Sequence, residues 1–153
     1  MSEFASTDLI KKFTDIINNI PFNRILGLKL HAIEADHITM RFDMTQDLIG
    51  NFMHGILHGG VISAVLDMTG GTAAMLAAIN KHTEKSLAEM SALLGKASTI
   101  SMNVDYVSPG RGEHFIAKAW TLHSGTKITF TRMELRNHEN SLIAHANGVY
   151  RVG

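Results

Sequence analysis

Leu48–Ala78 reads LIGNFMHGILHGGVISAVLDMTGGTAAMLAA, and its reading decides the fold. A polar approach leads to a His58-Gly59-Gly60 turn, and one long apolar helix follows. From Val61 to Ile79 the only charged residue is Asp67. A helix apolar on nearly all sides is a buried helix. Ser63, Asp67, Thr69 and Thr72 make it too polar, and the run too short, for a membrane span. A carboxylate in such a helix must be paired, protonated or functional, because burying a bare charge is costly. Gly59 and Gly60 fall where the first helical turn starts, so their N–H groups have no intrahelical partners. They stand at the positive end of the helix dipole, where an oxyanion is favoured. Asp67 comes nine residues after His58, about 2.5 turns and roughly 13 Å further along. One copy of the helix therefore cannot place both in one small site. Two antiparallel copies about a two-fold axis would form two equivalent sites.

The rest of the chain fits around that helix. Its 153 residues suffice for one domain with a substantial core. Hydrophobic residues make up 45% and charged residues 18%, as expected of a globular protein. Lys+Arg and Asp+Glu are balanced at 14 each, so no field draws nucleic acid or an anionic membrane. The absence of cysteine excludes disulfides, thiolate catalysis and Cys-type zinc sites. MSEFASTDLIKKF shows no basic segment followed by an apolar one, so no signal peptide is read and the expected compartment is the cytoplasm.

Ser6–Asn19 is predicted to be an amphipathic helix, capped by Ser6 or Thr7, with Leu9, Ile10, Phe13, Ile16 and Ile17 at helical spacing. PFNRILGL is a short connector with Gly27 as its stop. Leu28–Ile33 and His37–Asp43 read as two strands, and Met44–Leu57 as a loop. A short helix or lid is expected within Asn80–Lys96. Four strands follow over Ala97–Val107, Glu113–His123, Lys127–Arg136 and Ser141–Val152, joined by turns and therefore antiparallel. In the first, Ile100, Met102, Val104 and Tyr106 alternate with Thr99, Ser101, Asn103 and Asp105. In the last, Ala144, Ala146 and Gly148 put small residues on one face, as close contact with a helix requires. A single antiparallel sheet of this size needs its apolar face covered, and one long helix would do so.

Asn51, Gly55, His58-Gly59-Gly60 and Asp67, followed by Val104-Asp105-Tyr106-Val107-Ser108-Pro109, resemble the hotdog-fold acyl-CoA thioesterases of the phenylacetate-pathway type. The likeness covers about residues 24–152. It implies an α+β hotdog fold: a curved antiparallel sheet wrapped around one central helix, in a single domain over 1–153 with residues 1–23 as an N-terminal helical extension. It also implies helix-paired dimers, often assembled into tetramers. Carried onto this chain, the family pattern has Gly59 donate its N–H to the thioester carbonyl. His58 holds the loop. Asp67 of the other protomer acts as general base or nucleophile. Asn51 positions water or thioester, and Thr99 supports the attacking water. Substrate-binding candidates are Gly60, the Ser124-Gly125 turn, Lys127 and Arg111, the two cations being available for the phosphates of coenzyme A.

The resemblance implies no cofactor apart from the coenzyme A of the substrate. Its partners are an acyl-CoA and further copies of the chain, with no nucleic acid and no membrane. His54 and His58 are four apart, but the intervening glycines argue against a helix there, and no metal site is read. Gly-x-Ser-x-Gly does not occur, so a hydrolase triad is not indicated. The other reading of the same pocket is a non-catalytic acyl-CoA binding protein, for which Asp67 would have no use. Asn51 would serve equally as a turn cap, and Thr99 as an ordinary strand hydroxyl.

Overall fold

A computed structural model describes residues 7–153. The Ser6 cap lies outside the described residues, and Thr7 is already the first residue of the first helix. That helix, α1 (Thr7–Asn19), buries Phe13 and Ile17. Pro21 opens α2 (Pro21–Leu26) at a position where its missing N–H costs nothing, and Gly27 closes it in the left-handed region at φ 65°. Strands β1 (Lys29–Ile33) and β2 (His37–Asp43) follow. The stretch expected to be a loop instead folds as a 3-10 turn and a small ribbon of β3 (Ile49–Asn51) and β4 (Ile56–Leu57). The long helix α3 (Gly59–Lys81) leads to the short α4 (Leu87–Leu94), whose Ser86–Glu89 capping box fixes its start. Strands β5 (Ser98–Tyr106), β6 (His114–Ser124), β7 (Ile128–Asn137) and β8 (Leu142–Arg151) complete the chain.

Six strands form one antiparallel sheet in the order β1-β2-β6-β7-β8-β5. The expected run of hairpins holds for β6-β7-β8 only. Strand β5 is not the neighbour of β6. It lies at the far edge beside β8, and the chain from Val107 to Glu113 crosses the end of the sheet to reach β6. Val107 and Ser108 N–H donate to Ile143 O, and Leu57 N–H donates to Gly110 O, so this crossing is tied down at both sides.

Helix α3 lies across the apolar face of the sheet, as the resemblance to the hotdog fold implies. Its Val65, Leu66, Thr69 and Ala73 are buried against sheet residues that include Met40, Phe115, Ala117, Met133 and Ala144. At 23 residues α3 is long and apolar enough to cross a membrane, contrary to the expectation from sequence. Packing assigns it instead to the core, because most of its apolar stretch is buried within the protein. Gly70 permits the close approach: a Cβ there would lie 2.5 Å from Tyr150 Oη and 2.8 Å from Met133 Sδ. One flank of α3, with Gly60, Asp67, Met68, Gly71 and Met75, is only partly covered.

Candidate active site

The first turn of α3 is organised by His58, the N-cap residue at φ −65°, ψ 136°. Its Nδ1 accepts the Gly60 N–H at 2.8 Å, which fixes the neutral ring as the Nε2–H tautomer. Gly60 therefore has no amide to offer a substrate, and the expectation of two free N–H groups holds for Gly59 alone. Among the described residues the Gly59 N–H meets no acceptor. Gly50 packs under His58: a Cβ there would fall 2.5 Å from His58 Cα, so only glycine lets the approach loop run this close. The Tyr106 ring covers Gly59 from the other side, its hydroxyl donating to Gly59 O at 3.3 Å. Asn51 is exposed at the end of β3. Its Oδ1 accepts the Met53 N–H at 3.1 Å, as a turn cap does, and among the described residues its amide NH₂ meets no acceptor.

Two turns further on, Asp67 sits on the partly covered side of α3. Thr99 donates its hydroxyl to Asp67 Oδ1 at 2.9 Å. Simple alternation in β5 would have turned Thr99 away from the helix. The register of β5 against β8 shifts between Thr99 and Ser101, which pair with Tyr150 and Val149. Ile100 is the extra residue of this bulge and is 54% exposed. The bulge puts Thr99 on the same face as Met102, Val104 and Tyr106, toward α3.

Tyr150, the cross-strand partner of Thr99, is 3% exposed and donates its hydroxyl to Asp67 O at 3.2 Å. Burial, and next the Asp67 carboxylate, push its phenol far above the ordinary range, so it remains a protonated donor. Composition and spacing did not single Tyr150 out. The signal was present, because Tyr150 continues the stripe of Ala144, Ala146 and Gly148 on the helix-facing side of β8.

Asp67, Thr99 and Tyr150 stand at one wall of a cavity of about 250 Å³. The remaining lining is mostly apolar: Ile20 from the α1–α2 junction, Met68, Gly71 and Met75 from α3, Leu94 from α4, and Val152. A carboxylate held by a hydroxyl beside an apolar cavity can take a proton from water next to an apolar acyl group.

The remaining candidates fall at the two ends of α3. Arg111 belongs to the Gly59 end, where its Nη1 donates to His54 O at 3.1 Å. The Ser124-Gly125 turn belongs to the other end, where the Lys81 ammonium donates to the Ser124 and Gly125 carbonyls. The Gly125 N–H is committed to Ile128 O at 2.7 Å, and the Ser124 hydroxyl is paired with Thr129 at 3.1 Å. Lys127 is exposed beside that turn. Twenty-two residues of helix, roughly 33 Å, separate Gly59 from Lys81, so one protomer does not gather these residues into one site. Gly59 and Asp67 are themselves about 12 Å apart along the axis. Among the described residues no three metal-ligating side chains are grouped.

The model of the thioesterase superfamily matches residues 54–144. A medium/long-chain acyl-CoA thioesterase, YigI, of Escherichia coli strain K12 is 37% identical over 137 residues, which is 90% of this chain and 88% of the relative. Its counterpart in Salmonella typhimurium is 36% identical over the same shares. A crystal structure from Shewanella oneidensis, related to the thioesterase superfamily, superimposes with a TM-score of 0.90 at 33% identity. It covers 95% of this chain and 96% of the other.

Proposed function

We infer the reaction from one premise: the chain belongs to the thioesterase superfamily. It is a thioesterase, and we propose that its substrates are acyl-CoA esters with medium or long acyl chains. The observation that carries this reading is Asp67, held by Thr99 at the wall of an apolar cavity. The chain length follows the name of the Escherichia coli relative and agrees with the cavity lining.

In the proposed reaction Asp67 takes a proton from water as the water oxygen bonds to the thioester carbon. The carbonyl oxygen becomes an oxyanion, which the free Gly59 N–H receives at the positive end of α3. The tetrahedral intermediate collapses, the C–S bond breaks, and the thiolate leaves with the proton that Asp67 had taken. Thr99 holds the carboxylate in position, His58 holds Gly59, and the free amide of Asn51 is available to orient the water. Arg111 and Lys127 are the cations proposed for the coenzyme A phosphates.

Because Gly59 and Asp67 are about 12 Å apart on one helix, the proposed site takes Asp67 from one copy and Gly59 from another. The half-covered stripe of α3 favours such pairing. So does the outer edge of β5, which among the described residues carries no paired strand. The assembly is then a dimer or a pair of dimers, each chain a single hotdog domain with residues 1–23 as its extension. Its proposed compartment is the cytoplasm, where its acyl-CoA substrates are found.

The test is thiol release from a panel of acyl-CoAs by wild-type and Asp67→Asn protein, with the mass of the assembly measured alongside. The expected loss is about 10²–10⁴-fold in the variant, with the assembly intact. Undiminished hydrolysis by the variant would remove Asp67 as the base. Tight acyl-CoA binding without release by the wild type would leave a binding protein.

A further inference from the structure

Gly70 and Gly71 stand side by side in the middle of α3, where each glycine is unfavourable to a helix relative to alanine. Packing explains only the first. A Cβ on Gly70 would lie 2.5 Å from the Tyr150 hydroxyl, whereas one on Gly71 would lie 3.5 and 3.7 Å from the Tyr150 ring, ordinary van der Waals contact. Among the described residues of one chain, no steric need therefore keeps a side chain from position 71. What a side chain there would do is enter the cavity beside Asp67, which Gly71 lines.

Asp67, Gly71 and Met75 recur every four residues, so they run along one side of α3 over about 12 Å. The polar end of the cavity has Asp67 and Thr99. Met75 lies farther along the helix, and Ile20 and Leu94 close the cavity from the two neighbouring helical segments.

We propose that Gly71 is a specificity-determining residue. Lacking a side chain, it keeps the groove between Asp67 and Met75 open to an acyl chain, and Leu94 limits the length accepted. This rests on the acyl-CoA reading above, and it adds which residues choose among acyl groups. An extra methyl in a well-fitted apolar groove is felt as about a tenfold change or more in discrimination.

The experiment compares hexanoyl-CoA with palmitoyl-CoA as substrates for wild type, Gly71→Ala and Leu94→Ala. Melting temperature and assembly mass are recorded for each. The expected result is that Gly71→Ala lowers the palmitoyl-to-hexanoyl ratio of kcat/KM about tenfold with no loss of melting temperature. Leu94→Ala raises that ratio. An active wild type whose ratio neither variant changes overturns the proposal. A Gly71→Ala protein that changes its assembly mass but not its ratio assigns the glycine to helix pairing and overturns it as well. A wild type that releases thiol from neither ester overturns the acyl-CoA reading itself.

Discussion

Replacing Tyr150 by phenylalanine should leave the protein less stable at neutral pH and more stable in strong alkali. The hydroxyl donates to Asp67 O from a site only 3% exposed, and a single such hydrogen bond is worth about 1 kcal/mol net. That is the expected loss at pH 8. The alkaline limb has the opposite sign. Burial and the Asp67 charge raise the phenol of the folded state above the ordinary value of 10.0, so its stabilising contribution is fully present below pH 10. It is lost as pH rises toward the folded value, because the unfolded chain gives up its proton and the folded one cannot. Each pH unit above about 10 then costs the wild type about 1.4 kcal/mol, or about 2 kcal/mol by pH 11.5. Phenylalanine has no proton to lose, so the two stability curves should cross between about pH 10 and 11.5. Urea unfolding followed through Trp120, the sole tryptophan, measures both limbs at one fixed protein concentration. Tyr106, the other tyrosine, is present in both proteins and cancels in the difference. Curves that stay parallel from pH 8 to 11.5 would refute the assignment of Tyr150 as a buried, neutral donor.

Two further substitutions probe the frame of the site. Gly70→Ala forces Tyr150 or Met133 to move, since its Cβ would come within 2.8 Å of both. Overpacking of this kind costs about 1–3 kcal/mol, and the better helix propensity of alanine returns about 1 kcal/mol. A net fall of a few degrees in melting temperature is expected by calorimetry, and an unchanged value would mean that the helix can lift from the sheet without cost. His58→Ala removes the cap of α3 and frees the Gly60 amide to compete for the oxyanion position. Stability should drop by about 1 kcal/mol, and thiol release by about 10–10²-fold through misplacement of Gly59. A variant with full kcat would show that the loop holds Gly59 without the imidazole.

How much of this was legible depended on whether the deciding contacts were local. The His58-Gly59-Gly60 start of α3 could be read because a helix terminus declares itself within a few residues. The amphipathic α1 and the β6-β7-β8 meander were legible for the same reason, being set by short-range periodicity and turns. Asn51 was open between capping and catalysis; its oxygen accepts the Met53 N–H, and among the described residues its amide meets no acceptor. The small stripe on β8 pointed correctly to close helix contact, yet it hid the tyrosine that ends it.

What alternation could not supply was the side of the sheet on which Thr99 lies. Period-two reading grouped Thr99 with Ser101, Asn103 and Asp105, and such a grouping holds only while the register is unbroken. Strand β5 takes its register from β8, more than forty residues later in the chain, and that pairing accommodates Ile100 as an extra residue. Were Ile100 held in the ladder in regular alternation, the Thr99 hydroxyl would point away from α3, and Asp67 Oδ1 would lose its donor. The exposed isoleucine thus has a structural role that its own side chain does not reveal. Left out of the ladder by the bulge, at the point where the edge of the sheet passes the carboxylate, it lets Thr99 face α3 and so makes a strand hydroxyl part of the candidate active site.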